Sequence, residues 1–511
     1  MAGRPNVVRL VDADDIRPST YNPRQADPER LELVALSLRK LGWMLPIYAD
    51  AAGEILSGHQ RHYVATEMLG LTRLPVVYTK PFDLETRKAI NIAFNRGTND
   101  MAADTLSTDL RSAIIESGVI ELAQDMPDAA DMYPVLTASD EPIKPILTAN
   151  RGRWNRHARN VSRMLSGRGI EMPLILDEND QVVNGIGRLE FYAAKARDTV
   201  PVIRVAGKTA ELAKVMLNLL TMDFDLHTRY QNELRYNSFR RTAHTRDTLG
   251  LGFTFAVIGS KPANTLQVSK PAHLTAWKRV HGTKIVDFGA GHMDETRILR
   301  GVGIDVTPFE PFMCDPDHAD TLLPDVSRSL GRALLERVAS GYQWDSVFIS
   351  SVLNSVPFLA DRQHIITLLA AMTGEGKCYA VTKSTGHGSW RAVQPDAAPT
   401  NAVNDRQLGF QIGYEDGTIL TDFGDQPKAQ KYHTLEEFRD LFGTRFERVH
   451  AAHSQSNCQV IAETPRPVDP VALAAACDFE FDVAYPDGTS MGLADVAREA
   501  FGRRHGVDLS R

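Results

Sequence analysis

Apolar and polar positions in the first half of the chain repeat one layout at a separation of 127 residues. Leu45 to Tyr78 reads LPIYADAAGEILSGHQRHYVATEMLGLTRLPVVY, and Met172 to Val205 reads MPLILDENDQVVNGIGRLEFYAAKARDTVPVIRV. Pro46 falls on Pro173, Gly58 on Gly185 and Arg61 on Arg188; after one deleted residue, Pro75 falls on Pro201. Each copy predicts a short apolar strand (Pro46–Tyr48, Pro173–Leu176), a turn (Ala52-Gly53, Asn179-Asp180) and a second strand (Glu54–Leu56, Gln181–Val183). A Gly-x-x-Arg then opens an amphipathic helix, and a β-branched strand closes the copy. Helices ending near Gly42 and Gly169 precede the copies, since glycine commonly follows a helix end. Helical stretches at Leu84–Asn95 and Ala210–Thr221 follow them.

The second half has a different rhythm, with strands and helices in alternation. Strands are predicted at Lys284–Phe288, Gly303–Phe309, Gln343–Ser350 and Gly376–Lys383, and helices at Glu295–Gly301 and Arg362–Met372. Thr434 caps another helix, and two strands near Phe446–His450 and Cys458–Glu463 close the region. That alternation predicts a doubly wound, Rossmann-like sheet. An Ala-rich helix at Val471–Cys477, a turn at Tyr485–Gly488 and a helix at Leu493–Arg504 make a small tail, expected to serve packing or dimer contact.

Length and composition narrow the picture. The 511 residues imply two to four domains, with 43% hydrophobic and 24% charged residues, as in globular chains. A net charge of −7 excludes a chain-wide polycation, but not a local basic patch. Two basic stretches carry aromatics that suit nucleic acid: Arg151–Arg159, and the helical bridge around Arg229–Tyr236 with Arg240 and Arg241. A solvated helix face with its tyrosines packed inward reads the bridge equally well. Cys314, Cys378, Cys458 and Cys477 form no C-x-x-C pair, which argues against a disulfide framework and a zinc site, and no metal is expected. No basic-then-apolar leader and no run of about 18 apolar residues is found, so the chain is expected to be cytoplasmic, with no membrane.

A glycine and an arginine at a strand-to-helix turn suit an anion. Backbone N–H groups at the turn attract phosphate, and arginine adds a forked donor. A tight turn with an arginine paired to a carboxylate is the other reading. In the first copy Ile16–Ser19 with Tyr21–Arg24, Ser57–Ala65 and Phe94-Asn95-Arg96 resemble the opening strand and loop, the G-x-R-R-x-x-A box and the E-N-x-x-R box of the ParB/sulfiredoxin superfamily. The resemblance covers Val7–Met101 and, more faintly, Ile143–Asp225. It implies two α+β modules, CTP or ATP at the first, and DNA as a partner. The residues it assigns to nucleotide or DNA are Gly58, His59, Gln60, Arg61, Asn95, Arg96 and, in the second copy, Arg188. His59 stands where sulfiredoxins need cysteine, so sulfinic acid repair is not expected. Gln60-Arg61 replaces the paired arginines of ParB, and Gly185-Ile186-Gly187-Arg188 has lost both His and Gln, so the second copy reads as a degenerate partner.

In the second half, Asp287-Phe288-Gly289-Ala290-Gly291 is a D-x-G-x-G turn between a strand and a helix, without the third glycine of a dinucleotide site. Together with the strand order it resembles class I S-adenosylmethionine-dependent methyltransferases across Lys284–Glu463. The resemblance implies S-adenosyl-L-methionine as cofactor, held by Asp287, Gly289, Gly291 and Ser351. Glu310 would take the ribose, with Asp305 as the rival. Ser350 to Asn354 would flank the methyl group; Ser350, Asn354 and His387 are the candidate catalytic residues, with Trp390 as a stacking platform. The segment lacks both the D/N-P-P-Y/F motif of amino-directed DNA methyltransferases and the Pro-Cys of the cytosine C5 enzymes. It looks more like methyltransferases from phage and DNA-modification gene neighbourhoods.

The expected organisation is α/β multidomain: ParB/sulfiredoxin-like 1–105, a degenerate ParB-like domain 106–225, a helical bridge 226–280, a methyltransferase domain 281–465 and an appendage 466–511. The expected activity is methyl transfer to DNA or a modified base, in a phage or mobile-element setting, by a chain that forms a homodimer. A nucleotide-dependent kinase or NTPase with an accessory second half, and a non-catalytic ParB-type regulator, are the alternatives.

Overall fold

The computed structural model describes residues 7–19, 28–82, 86–87, 90, 93–94, 114–115, 117–152, 161–163, 165–221, 271–315, 321–392, 410–411, 417–421, 428–454, 456–485 and 487–509. The chain divides into two compact units: Met1–Tyr230 with Ala392–Asp416 and Leu420–Pro427, and Gln231–Arg391 with Gly417–Ile419 and Lys428–Arg511. Among the described residues no helix is long and apolar enough to cross a membrane.

The sequence repeat of the first unit is a structural repeat. The first copy contains β1 (Arg9–Asp12), α1 (Pro28–Leu41), β2 (Ile47–Ala49), β3 (Ile55–Ser57), α2 (His59–Tyr63) and β4 (Arg73–Tyr78). The second contains β5 (Ser139–Pro142), β6 (Leu174–Leu176), β7 (Val182–Asn184), α3 (Ile186–Ala194) and β8 (Thr199–Arg204), followed by α4 (Gly207–Thr221). The sheet orders are β1-β4-β2-β3 and β5-β8-β6-β7. Tyr48 pairs with Ser57 and Val77, and its counterpart Ile175 pairs with Asn184 and Ile203. The hairpins turn by the same device. Asp50 Oδ1 accepts from the Ala52 and Glu54 N–H groups, and Asp177 Oδ1 from those of Asn179 and Gln181. Gly53 at φ +80° and its counterpart Asp180 at +61° take the left-handed conformation that the turn requires.

The opening strand is Arg9–Asp12, not the expected Ile16–Ser19. Ile16 is buried, and Arg17 makes a single parallel bridge to Glu54. The copies share one apolar core, in which Leu31, Val34 and Leu38 of α1 and Ile47 of β2 lie with Ile175, Val183 and Ile203 of the second copy and Leu212 and Met216 of α4. Full burial of each such side chain contributes about 1.5–3 kcal/mol, so separating the copies would expose a large part of both.

The second unit is a three-layer sheet. Its elements are α5 (Pro271–His281), β9 (Lys284–Phe288), α6 (Asp294–Gly301), β10 (Asp305–Phe309), α7 (Pro324–Ala339), β11 (Ser346–Ser350), α8 (Leu359–Thr373), β12 (Lys377–Lys383), β13 (Lys428–Lys431), α9 (Leu435–Gly443), β14 (Phe446–Ser454), β15 (Asn457–Pro465), α10 (Pro470–Phe481) and α11 (Ala494–His505). The six-stranded sheet runs β10-β9-β11-β12-β15-β14. β9 to β12 are mutually parallel, and β15 is antiparallel to both neighbours. This is a Rossmann-like topology, with its reversal of strand order between β9 and β11. Alternate residues enter two cores: Ile285 and Phe348 pack with Trp277 and Leu299 on one face, while Val286, Val347 and Ile349 pack on the other. The second face also receives Leu473, Phe481, Leu493, Ala497 and Phe501 of the tail. Residues 466–511, expected as an appendage, are therefore built into the main core.

Candidate active site

Parallel strands put their carboxyl ends along one edge, and ligands of open α/β sheets bind there, at the switch point. The chain leaves β9 through Asp287 into the glycine turn. Gly289, at φ +79°, and Ala290 donate their N–H groups to the Phe309 carbonyl at 2.8 and 2.9 Å, locking the turn onto β10. A Cβ on Gly289 would sit 2.2 Å from Val352 Cγ2. This glycine therefore admits the loop after β11, rather than leaving open space for a ligand. Gly291, at φ +57°, donates its N–H to Glu310 Oε2 at 2.6 Å, and the Phe312 N–H donates to Oε1 at 3.0 Å. Glu310 is 4% exposed and makes no ion pair among the described residues. Asp287, also buried, accepts from Thr296 Oγ1 at 2.7 Å, which ties β9 to α6.

Asp305 does not join them. It opens β10, at the opposite end from Glu310, and its carboxylate accepts from both Nη atoms of Arg337 at 2.9 Å and from the Tyr342 hydroxyl at 2.6 Å. The Arg337 guanidinium holds its carboxyl below the usual range. The strand's direction places it at the opposite edge of the sheet from the glycine turn.

At the end of β11, Ser350 Oγ is buried with no hydrogen-bond partner among the described residues. Ser351 has φ +57°, a conformation that costs a non-glycine residue about 1–3 kcal/mol, and its N–H donates to the Val381 carbonyl at 2.8 Å. Asn354 is 3% exposed. Its Nδ2 donates to Gln430 Oε1 at 2.9 Å, as does Lys383 Nζ, also at 2.9 Å. Gln430 Nε2 reaches Ser355 Oγ at 3.3 Å. Asn354 Oδ1 is left without a donor among the described residues. His387 lies 5.5 Å from the Tyr432 ring and Trp390 stacks on the same ring at 6.1 Å. Burial, aided by Lys383, lowers the His387 pKa, which favours the neutral imidazole. Lys383, Gln430 and Ser355 carried no signal in the sequence: Lys383 and Gln430 meet Asn354 only through the sheet and β13.

In the first unit, Gly58 precedes α2 at φ +101°, and Gly185 precedes α3 at +114°. His59 is buried, with Nε2 2.8 Å from Ser19 Oγ, a partner the sequence reading did not single out. Gln60 Nε2 is buried without a partner among the described residues. Arg61 is half-buried and donates from Nη1 to the Leu45 carbonyl. Arg188, its counterpart, is 2% exposed, with Nη2 on Asn184 Oδ1 at 2.6 Å and Nη1 on Met172 Sδ at 3.6 Å. Its guanidinium is used inside the second copy, against the expectation that it contacts nucleotide or DNA. Asn95 and Arg96 lie outside the described residues, as do Arg153–Arg159 of the basic run and the bridge from Met222 to Lys270.

No family model matches the chain. It is 33% identical over 63 residues to the ParB-like nuclease domain-containing protein YnaK of Escherichia coli (strain K12), a match that covers 12% of this chain and 71% of that protein. Among solved structures, a SAM-dependent methyltransferase from Methanosarcina mazei aligns with TM-score 0.24 and 18% identity, over 35% of this chain and 91% of that one. The C-terminally truncated chromosome-partitioning protein ParB from Caulobacter crescentus, complexed with CTP-gamma-S, aligns with TM-score 0.18 and 20% identity, over 32% and 79%.

Proposed function

We propose a methyl-transfer function for this chain, which belongs to the ParB-like nuclease domain-containing proteins through the 63 residues it shares with the Escherichia coli relative. The donor is S-adenosylmethionine, bound at the carboxyl edge of the second unit. One observation carries this reading. Glu310 is a buried carboxylate without a cationic partner among the described residues, held against the glycine turn by two backbone N–H groups. A carboxylate has about four lone-pair sites, so acceptors remain for the two hydroxyls of a ribose. Asp287 and the turn at Gly291 would hold the methionine end. When bound, the cofactor supplies an electrophilic methyl group on a sulfonium.

The chain's own part is to position the acceptor and receive its proton. Ser350 to Asn354 adjoin the turn through Val352, and His387, kept neutral by burial, can take a proton. The acceptor belongs to DNA or a modified base, in a phage or mobile-element modification pathway in the cytoplasm. The ParB-like copies engage DNA or a nucleotide such as CTP or ATP at the first Gly-x-x-Arg turn, and the chain works as a homodimer. The unpartnered Gln60 Nε2 beside that turn favours a second reading, in which the first copy is a nucleotide-dependent enzyme. The test is incubation with tritiated S-adenosylmethionine and DNA, RNA or cell extract. Label should enter nucleic acid and be lost in Glu310→Ala; label in no fraction would end the reading.

A further inference from the structure

The connection between α10 and α11 is longer than joining two packed helices requires. Such connections take about 2–8 residues, and this one spans residues 482–493. Its described residues form a built loop. Ala484 makes an antiparallel bridge to Ser490, and Asp487 Oδ1 accepts from the Thr489 N–H at 2.9 Å and from its hydroxyl at 2.8 Å. Asp482 Oδ1 closes the base, accepting from Ser490 Oγ at 2.7 Å and the Gly492 N–H at 3.2 Å. Arg328 of α7 grips the loop: its Nη2 donates to the Ser490 carbonyl at 2.8 Å and to Thr489 Oγ1 at 3.1 Å.

Val483, Met491 and Leu493 of this loop fill the apolar core. Tyr485 differs from them, because it touches the segment that carries Glu310. It is 4% exposed. Its ring meets the Arg328 guanidinium at 5.6 Å and, edge to face, the Phe312 ring at 6.3 Å. Phe312 is the residue whose N–H donates to Glu310 Oε1. The next N–H, of Met313, donates to Ser327 Oγ at 3.0 Å, and the Tyr485 hydroxyl lies beside Ser327. Burial, with the Glu310 carboxylate adding to it, pushes the Tyr485 phenol up to about 12, so the hydroxyl stays neutral near the acid. Residues 310–313 lie outside the sheet ladder. The direction of the carboxylate is therefore set by what holds Phe312 and Met313.

Resting on the methyltransferase reading, we propose that Tyr485 is a positioning residue for the cofactor's ribose: it backs the Phe312 turn that aims Glu310, and so makes the C-terminal tail part of the cofactor site.

The test is isothermal titration of the full chain with S-adenosylhomocysteine and with its 2′-deoxy analogue, which lacks one ribose hydroxyl. The wild-type chain should prefer the ribose compound about tenfold, the scale of a hydrogen bond to a charged group. Tyr485→Leu should shrink that preference to about twofold and leave the 2′-deoxy compound's affinity within about threefold. Tyr485→Phe, which keeps the ring on Phe312, should retain the preference. Leu493→Ala opens a hole in the same core; it should lower the urea midpoint and leave the preference intact. Arg328→Met releases the grip on Ser490 from a partly exposed position and should weaken the preference about threefold, so the proposal stays testable if Tyr485→Leu misfolds. An unchanged preference in Tyr485→Leu or Arg328→Met, equal loss of both compounds, or a loss in Tyr485→Phe as large as in Tyr485→Leu would overturn it. The two failures are distinguishable. A wild-type chain that binds neither compound ends the methyltransferase reading. Ribose preference that falls in Glu310→Gln but not in the tail variants sinks only this inference.

Discussion

The two copies in the first unit share sheet order, strand register, turn chemistry and a left-handed glycine before the helix, yet bury the same arginine to different depths. Arg61 is half-buried beside a buried histidine, and Arg188 is enclosed by its own Asn184 and Met172. The fold thus constrains the glycine and the turn in both places, while the guanidinium can either stay half-exposed or fill the interior. The difference can be traced to neighbours. His59 and His62 of the first copy correspond to Ile186 and Leu189 of the second, and a pair of imidazoles becomes part of an apolar cluster.

The comparison can be broken most easily at the arginines. Arg188→Ala should destabilise the first unit by about 2–4 kcal/mol, because it strips a hydrogen-bonded group from the interior. Arg61→Ala should cost at most about 1 kcal/mol and lower nucleotide or DNA binding instead. Urea denaturation and a binding assay on both variants separate the two; equal destabilisation would remove the contrast. Next come the glycines. A Cβ at Gly185 meets Arg188 Nε at 2.5 Å, whereas at Gly58 it meets Ile47 Cγ1 at 3.1 Å. Both substitutions carry positive-φ strain, but Gly185→Ala should cost more, about 2–3 kcal/mol. Ser19→Ala, which leaves His59 Nε2 without the hydroxyl, should cost about 1 kcal/mol by the same denaturation.

The smallest effect is acid sensitivity. Burial lowers the His62 pKa below the usual 6.5, so the unfolded chain binds more protons below that pH. Stability should then fall as pH drops through about 6.5. Changing His62 to Leu, the residue of the second copy, should flatten the denaturation midpoint between pH 7 and pH 5. A midpoint that falls equally in the variant would assign the slope to another group.

Much of this architecture is legible in one dimension. Apolar runs and turn residues locate β2, β3, β6 and β7 within a residue or two, and Asp-x-Gly-x-Gly marks the end of β9. The position of Glu310, directly after the second strand, was legible from that strand's bounds. Asp305 was equally acidic and equally near in sequence, and only the strand direction separates them. The interior fate of Arg188 was not legible, because burial depends on Asn184 and Met172 coming together around it. Nor was the contact of Asn354 with Gln430, 76 residues away in sequence, since no periodicity links a loop after one strand to a residue of another. The tail looked detachable because its Ala-rich helix lacks a strong apolar stripe; its residues nevertheless complete the core of the sheet.

The central claim is that a buried acid and a glycine turn hold a sulfonium cofactor at the carboxyl edge of the second unit. Isothermal titration of the full chain with S-adenosylmethionine tests it most directly. Saturable one-site binding is expected, weakened at least tenfold in Glu310→Gln and unchanged in Asp305→Asn. No heat with the wild-type chain, or loss on changing Asp305 with Glu310 dispensable, would contradict the account.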